Sequence, residues 1–171
     1  SVVLDPIAIM EPPVDGGPAR YLDWASSCKV PTVSGGGAMT FGIPAVSSVH
    51  VGCGRTTLYV LLKFGDSVSA TEDLRVEIRI QTSARSTHFV VQKHHDQVAA
   101  WSEPETSFRW ELRDTLQFGL PFAAVLAAPG EQIELTILVL GGGRLIASIP
   151  SQGTLSVLLP GPDYDLRHWE V

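Results

Sequence analysis

The sequence has few cysteines and no long apolar run, and these absences exclude several classes of protein. Only Cys28 and Cys53 occur among 171 residues, too few for a disulfide framework. We predict free or buried thiols, which fit a reducing compartment. No stretch of about 18 apolar residues occurs, and residues 1–10 lack the basic region of a secretion signal. Neither a membrane partner nor a secretion signal is therefore predicted.

Positive charge is also scarce. Lysine and arginine together number 12 against 18 aspartates and glutamates, which gives a net charge of −6. A nucleic-acid-binding surface needs a basic stripe that neutralises phosphates and releases their counterions. The chain has no such stripe, so no nucleic-acid partner is predicted.

The signatures of catalysis and of phosphate binding are missing as well. The glycine loops Gly35–Gly37 and Gly141–Gly143 lack the Gly-Lys-Ser/Thr ending of a phosphate-binding loop, and no G-x-S-x-G elbow presents a serine. A glycosidase needs two carboxylates across a cleft, and the sequence does not rank the candidates. Those candidates are Asp23, Glu103, Glu105 and Asp114. We therefore predict a domain that is not itself an enzyme and has no catalytic residue.

Potential metal ligands are densest at His94, His95 and Asp96. Adjacent residues of a strand point to opposite faces, so these side chains can share one ion only in a turn. We interpret them as a polar turn. No D-x-D-x-D run supports calcium, and neither a metal nor a cofactor is predicted.

Apolar alternation with a period of two is the pattern that the chain does have. Within residues 107–140 it occurs in three successive segments, separated by turn residues and by a segment at 122–126 long enough for one helical turn. The first segment carries Phe108, Trp110 and Leu112 on one face and charged residues on the other. Such alternation indicates strands with one buried face.

Comparable segments recur along the chain, with turn residues every 8 to 12 residues and no helical stripe longer than two turns. We predict an all-β fold, an antiparallel sandwich or barrel. About ten strands and at most one or two short helical turns are expected. No repeat or linker divides the sequence, so residues 1–171 are interpreted as a single domain.

Aromatic residues at strand ends and in loops suggest a binding surface. Trp24, Trp101 and Trp169, with Tyr21 and Tyr164, lie at such places. Sugar rings have apolar faces that stack on indole and phenol rings, so an exposed aromatic platform suits a carbohydrate-binding sandwich. The alternative is that these side chains plug the open ends of the sandwich. Trp110 lies on an apolar strand face and is interpreted as core.

The order of several short motifs resembles a known family. The motifs are Pro13-Val14-Asp15-Gly16, Tyr21-Leu22-Asp23-Trp24, Gly36-Gly37-Ala38-Met39, Leu58-Tyr59-Val60, Leu120-Pro121-Phe122, Pro129-Gly130-Glu131, Ile149-Pro150-Ser151-Gln152-Gly153, and Asp163-Tyr164 before Trp169. Together they resemble the C-terminal β-sandwich domain that follows the catalytic barrel in many bacterial family 57 glycoside hydrolases, enzymes acting on α-glucans. The chain resembles more loosely the DOMON-like fold of family 9 carbohydrate-binding modules.

This resemblance implies an antiparallel two-sheet β-sandwich of DOMON-like, jelly-roll type. It also implies a non-catalytic accessory domain within a longer, cytoplasmic enzyme. Its expected partner is the catalytic barrel of the same chain, with weak binding of an α-glucan oligosaccharide as a further role. For that role we predict stacking by Trp24 and Trp101, with polar contacts from Tyr21 and Asp23. The alternative is a structural protein–protein interaction module that binds no sugar. A structural calcium is compatible with the resemblance, without support from a ligand motif.

Overall fold

The alternating segments form strands where the pattern predicts them. A computed structural model describes residues 2–4, 9–12, 14, 24, 27–30, 45–65 and 73–161. The strands are β1 (Val2–Leu4), β2 (Cys28–Val30), β3 (Val46–Cys53), β4 (Thr57–Phe64), β5 (Asp73–Gln81), β6 (Ser86–His94), β7 (Gln97–Glu103), β8 (Arg109–Leu112), β9 (Thr115–Pro121), β10 (Gln132–Gly141), β11 (Arg144–Ile149) and β12 (Leu155–Leu158). A 3₁₀ turn, Phe122–Val125, follows β9.

The strands form two sheets that pack face to face. Sheet A has seven strands in the order β1-β12-β10-β5-β6-β7, with β11 also paired to β10. Sheet B has five strands in the order β2-β3-β4-β9-β8. The chain passes from one sheet to the other after β1, β4, β7 and β9. The predicted all-β, two-sheet sandwich is thus confirmed.

Two details differ from the prediction. The described residues form twelve strands, and the two unexpected ones, β1 and β2, have three residues each. A period of two cannot be recognised over three residues, so the sequence pattern does not reveal them. The first of them, β1, pairs with β12 in parallel, whereas the other pairs between strands are antiparallel. Parallel neighbours need a long connection, which the many residues between Leu4 and Leu155 supply.

The main core lies between the sheets. Alternate residues of the central strands face it, as the period of two predicts; for example, Ile78 of β5 and Val60 of β4 are both fully buried. Burying such a side chain contributes about 1.5–3 kcal/mol, so this layer dominates the stability of the fold. Cys53 also lies in it, and burial raises the pKa of its thiol to about 12. Cys28 and Cys53 are both free thiols, as predicted.

Each sheet also has an outer face, turned away from this core, and the two outer faces differ. The outer face of sheet B is covered by earlier parts of the same chain, which form a second apolar cluster there. The outer face of sheet A carries charged and half-buried side chains along β5, β6 and β7. This difference determines where each aromatic candidate lies.

Candidate functional site

Trp24 belongs to the covered outer face of sheet B. Its side chain is 5% exposed and packs in a cluster with Met10, Tyr59 and Leu61. The indole meets the Tyr59 ring edge-on, with the ring centroids 6.4 Å apart. Trp24 therefore fills a small second core, and its faces contact protein.

Gly52 in β3 and Gly54 directly after it allow Met10 and Glu11 to pack closely against this end of sheet B. A Cβ atom at Gly52 would overlap Met10 Sδ, and one at Gly54 would lie 2.8 Å from the Met10 carbonyl oxygen. The Met10 amide donates a hydrogen bond to the Cys53 carbonyl at 2.9 Å. The Met10 side chain thus packs on the backbone of Gly52, and a side chain at Gly54 would push the Met10 backbone away.

A glutamate fastens the same segment. Glu11 accepts hydrogen bonds from the Arg55 amide at 2.9 Å and from the Tyr59 hydroxyl at 2.7 Å. Burial, and then the hydrogen bond to Glu11, raise the pKa of Tyr59 above its ordinary value. Arg109 donates to the Tyr59 oxygen at 3.4 Å from the opposite side. The network is a structural fastening.

Ser27 and His50 lie together nearby, with Ser27 Oγ 3.2 Å from His50 Nδ1. The Ser27 hydroxyl donates its one hydrogen to the Trp24 carbonyl at 2.6 Å, so the histidine nitrogen must be the donor in this contact. Burial, followed by the charges of Lys63 and Lys29, lowers the pKa of His50. A nucleophilic serine needs the reverse arrangement, in which histidine accepts the hydroxyl proton. This pair is therefore structural.

Trp101 lies on β7, at the edge of sheet A, and its indole is half-buried. It occupies the outer face beside Val90, its direct neighbour on β6. The Arg75 guanidinium lies over the indole, 5.4 Å from its centroid. Trp101 is therefore held in place while part of it remains open to solvent.

An open groove runs between β7 of sheet A and β8 of sheet B, and Trp101 lines it. Its volume is about 480 Å³. Its lining residues are Ala100, Trp101, Ser102, Glu103, Glu105, Thr106, Ser107, Phe108 and Trp110. The lining thus includes three aromatic residues, two exposed glutamates and three hydroxyl-bearing residues, of which Ser102 is buried. The groove has the combination of apolar surface and hydrogen-bonding groups that a small polar ligand with apolar faces requires.

The connection from β7 to β8 shapes one wall of this groove. Ser102 is buried, and its hydroxyl accepts a hydrogen bond from the Thr106 amide at 2.8 Å. The same hydroxyl lies 3.0 Å from the Pro104 carbonyl and 3.2 Å from that of Thr106. Ser102 therefore holds the turn that carries Glu105, while Phe108 stacks on core residues behind it.

Charged side chains continue from Trp101 across the outer face of sheet A. Glu77 is outward-facing, as predicted, yet it is 8% exposed because its neighbours cover it. It lies 3.4 Å from Arg79 Nε, 3.6 Å from His88 Nδ1 and 3.9 Å from Arg75 Nη2. Arg75 thus contacts both Glu77 and Trp101, and this ion cluster helps to orient the indole.

The two predicted stacking residues do not share a site. Trp24 and Trp101 lie on opposite outer faces of the sandwich, and Tyr21 and Asp23 lie outside the described residues. Trp101 instead shares the groove with Trp110. As predicted, Trp110 packs half-buried against the core. Alternation assigned Trp110 to an inward face, but it does not indicate that β8 ends its sheet beside an open groove.

The candidate carboxylates and metal ligands lie at several different places. Glu103 and Glu105 line the groove, while Asp114 is exposed after β8. His95 occupies the exposed turn between β6 and β7, where its φ of 55° lies in the left-handed region, so the polar turn is confirmed. Among the described residues, no three His, Cys, Asp or Glu side chains lie close enough to hold a metal ion. The predicted loops and aromatics at Gly35–Gly37, Tyr164 and Trp169 lie outside this part of the chain.

Comparison with known proteins adds no relative. No protein-family model matches the chain, and no curated protein matches its sequence. Within the described ranges, no helix has both the length and the apolar character that a membrane crossing requires. The resemblance to family 57 C-terminal domains therefore remains an expectation based on motif order.

Proposed function

We propose that this chain is a non-catalytic accessory domain of an α-glucan-processing glycoside hydrolase, and that it binds glucan weakly in the groove beside Trp101. The observation that supports this proposal is the grouping of Trp101, Phe108 and Trp110 with hydroxyls and carboxylates in one open groove. The order of motifs supports the parent enzyme and its catalytic barrel as the covalent partner. The free thiols Cys28 and Cys53 favour a cytoplasmic location.

The groove has the chemistry that a neutral sugar requires. The apolar face of a glucose ring packs against an aromatic ring, and its hydroxyls donate hydrogen bonds to acceptors at the rim. Glu103 and Glu105 supply charged acceptors, which form stronger hydrogen bonds than neutral groups. Trp101 is the stacking residue in this proposal, and the two glutamates bind hydroxyls.

Weak affinity follows from the shape of the groove. It is open to solvent, so it encloses less of a ligand than the deep pockets that bind small molecules tightly. Arg75 already covers part of the indole and limits the area that a sugar can bury. Binding of a glucan therefore depends on several sugar units in contact with the surface at once.

A second candidate function has an observation of its own. On β11, Leu145 is 58% and Ile146 is 39% exposed, and Leu145 lies opposite the half-buried Leu140 of β10. Exposed apolar side chains in a group mark surfaces that meet another protein. In this alternative the domain packs on a neighbouring domain through β11 and binds no sugar.

Isothermal titration of the 171-residue chain with maltoheptaose tests the first proposal. We expect a millimolar Kd for the wild type, no measurable binding for Trp101→Ala, and weaker binding for Glu103→Gln and Glu105→Gln. Leu145→Ala is the matched control, because it removes an exposed apolar side chain from the same sheet outside the groove. Circular dichroism checks that each variant is folded.

The two functions predict different results. A flat titration with folded wild-type protein contradicts glucan binding and leaves the interaction module. Binding that survives Trp101→Ala but is lost in Leu145→Ala places the ligand on β11 and overturns the assignment to the groove. Binding that is lost in Trp101→Ala alone supports the proposal.

A further inference from the structure

The edges of the two sheets differ in how they are protected against pairing with another strand. Proteins protect exposed edges with short strands, with charged side chains or proline, or with irregular register. Here β1 and β2 have three residues each, and β2 exposes Lys29. The four-residue β8 alternates charged Arg109 and Glu111 with apolar residues. The pairing of β11 with β10 contains a shift in register.

Strand β7 has only one of these protections, the charged Glu103 at its end. It has seven residues, Gln97–Glu103, and contains no lysine, arginine or proline. Its register with β6 is regular from one end to the other. Among the described strands it pairs with β6 alone, so its second side presents backbone N–H and C=O groups without a strand partner. Its side chains are mostly exposed, including Val98 at 40%.

The sequence of β7 is complementary to itself in antiparallel register. Centred on Ala100, the pairing sets Gln97 opposite Glu103, Val98 opposite Ser102, and Ala99 opposite Trp101. The Gln97 amide can donate to the Glu103 carboxylate, and the large indole faces a small methyl group. No charge meets a like charge within this register, and direct opposition of like charges is what destabilises such pairs.

We propose that a second copy of this chain pairs with β7 across a two-fold axis and joins the two copies of sheet A into one continuous sheet. Each copy uses the same seven residues, as a closed two-fold interface requires. The inference is independent of glucan binding, because it rests on the backbone and register of β7. The groove opens beside β7, so the partner strand lies along its mouth.

Introducing a charge of either sign at the neutral Gln97 tests this register. Gln97 is exposed, so the changes leave the folded monomer intact. In the dimer, Gln97→Lys faces Glu103 at both ends of the pair, whereas Gln97→Glu sets two carboxylates opposite each other twice. We expect the dimer Kd to differ by about tenfold between these variants, with Gln97→Lys the tighter and the wild type between them.

Multi-angle light scattering over protein concentrations up to about 1 mM measures the Kd. Gln132→Lys and Gln132→Glu are matched controls, because Gln132 is exposed on β10 of the same sheet, away from the edge strand β7. We expect both to dimerise like the wild type, and hydrogen exchange to slow at β7 amides as the dimer forms. A chain that stays monomeric overturns the proposal. A dimer whose Kd is the same in Gln97→Lys and Gln97→Glu overturns it too.

Discussion

The two outer faces of this sandwich differ in the residues that they present and in what covers them. On sheet B, Tyr59 and Leu61 alternate with core residues of β4 and are buried by Met10 and Trp24 from earlier in the chain. On sheet A, outward-facing residues such as Arg75 contact one another and solvent. A sheet face becomes core or surface according to what the rest of the chain places over it.

The tryptophans make the same point. Trp24 and Trp101 both lie outside the main core, and their sequence contexts favour stacking on sugar equally. A covering segment held by Glu11 encloses Trp24, whereas Trp101 lies at a sheet edge beside a groove. The comparison predicts that Trp24 contributes mainly to stability and Trp101 mainly to binding.

The sharpest test replaces each tryptophan with alanine. Trp24→Ala is expected to lower the free energy of unfolding by about 3–5 kcal/mol, because it empties a buried site. Trp101→Ala is expected to cost about 1 kcal/mol, since its side chain is half-buried. Urea denaturation measures both values. Equal losses would show that the two faces do not differ in the way proposed.

A smaller effect on stability is expected at Gly54, against which Met10 and Glu11 pack. In Gly54→Ala the new Cβ lies 2.8 Å from a backbone oxygen of Met10, so the segment must move. We expect a loss of about 1–3 kcal/mol in the free energy of unfolding, as in other overpacked sites. Gly119→Ala is the control on the same outer face, where the nearest atom lies 3.4 Å away in the side chain of Arg109. An equal loss in both variants would contradict the role of close approach at Gly54.

The smallest effect concerns the fastening of that segment. Tyr59→Phe removes the hydroxyl bonded to Glu11 and is expected to cost about 1 kcal/mol at neutral pH. Burial raises the pKa of Tyr59, so its contribution is complete below the ordinary value of 10.0 and is lost as the pH rises through the raised pKa. The stability of wild type should therefore fall above pH 10.0 more steeply than that of the variant. Parallel curves from thermal melts across this range would refute the role of Tyr59.

Most of the fold was predictable because burial between two sheets imposes a period of two on the sequence. Strand β5 shows this well, with Leu74, Val76, Ile78 and Ile80 buried as expected. The three-residue strands β1 and β2 were not predictable, since their pairing depends on distant segments. The burial of Glu77 was missed for the same reason, because Arg79 and His88 cover it from its own and a neighbouring strand.

The candidate site was predictable in part. Trp101 was recognised from its residue type and its place near a strand end, and it does line a groove. Its companions Phe108 and Trp110 carry the alternation of core residues, and that pattern gives no indication that their strand lies at an edge. Which aromatics share a groove depends on strand order, which residue spacing does not contain.

By itself, the sequence determined the all-β class, the positions of the long strands and the inward-facing residues, because local alternation and turn chemistry suffice for these. Tertiary structure alone decided that Trp24 is enclosed, that Trp101 and Trp110 meet at one groove, and that β7 ends a sheet. Each of these three features depends on contacts between segments far apart in the chain. Such contacts produce no periodic pattern in the sequence of either segment.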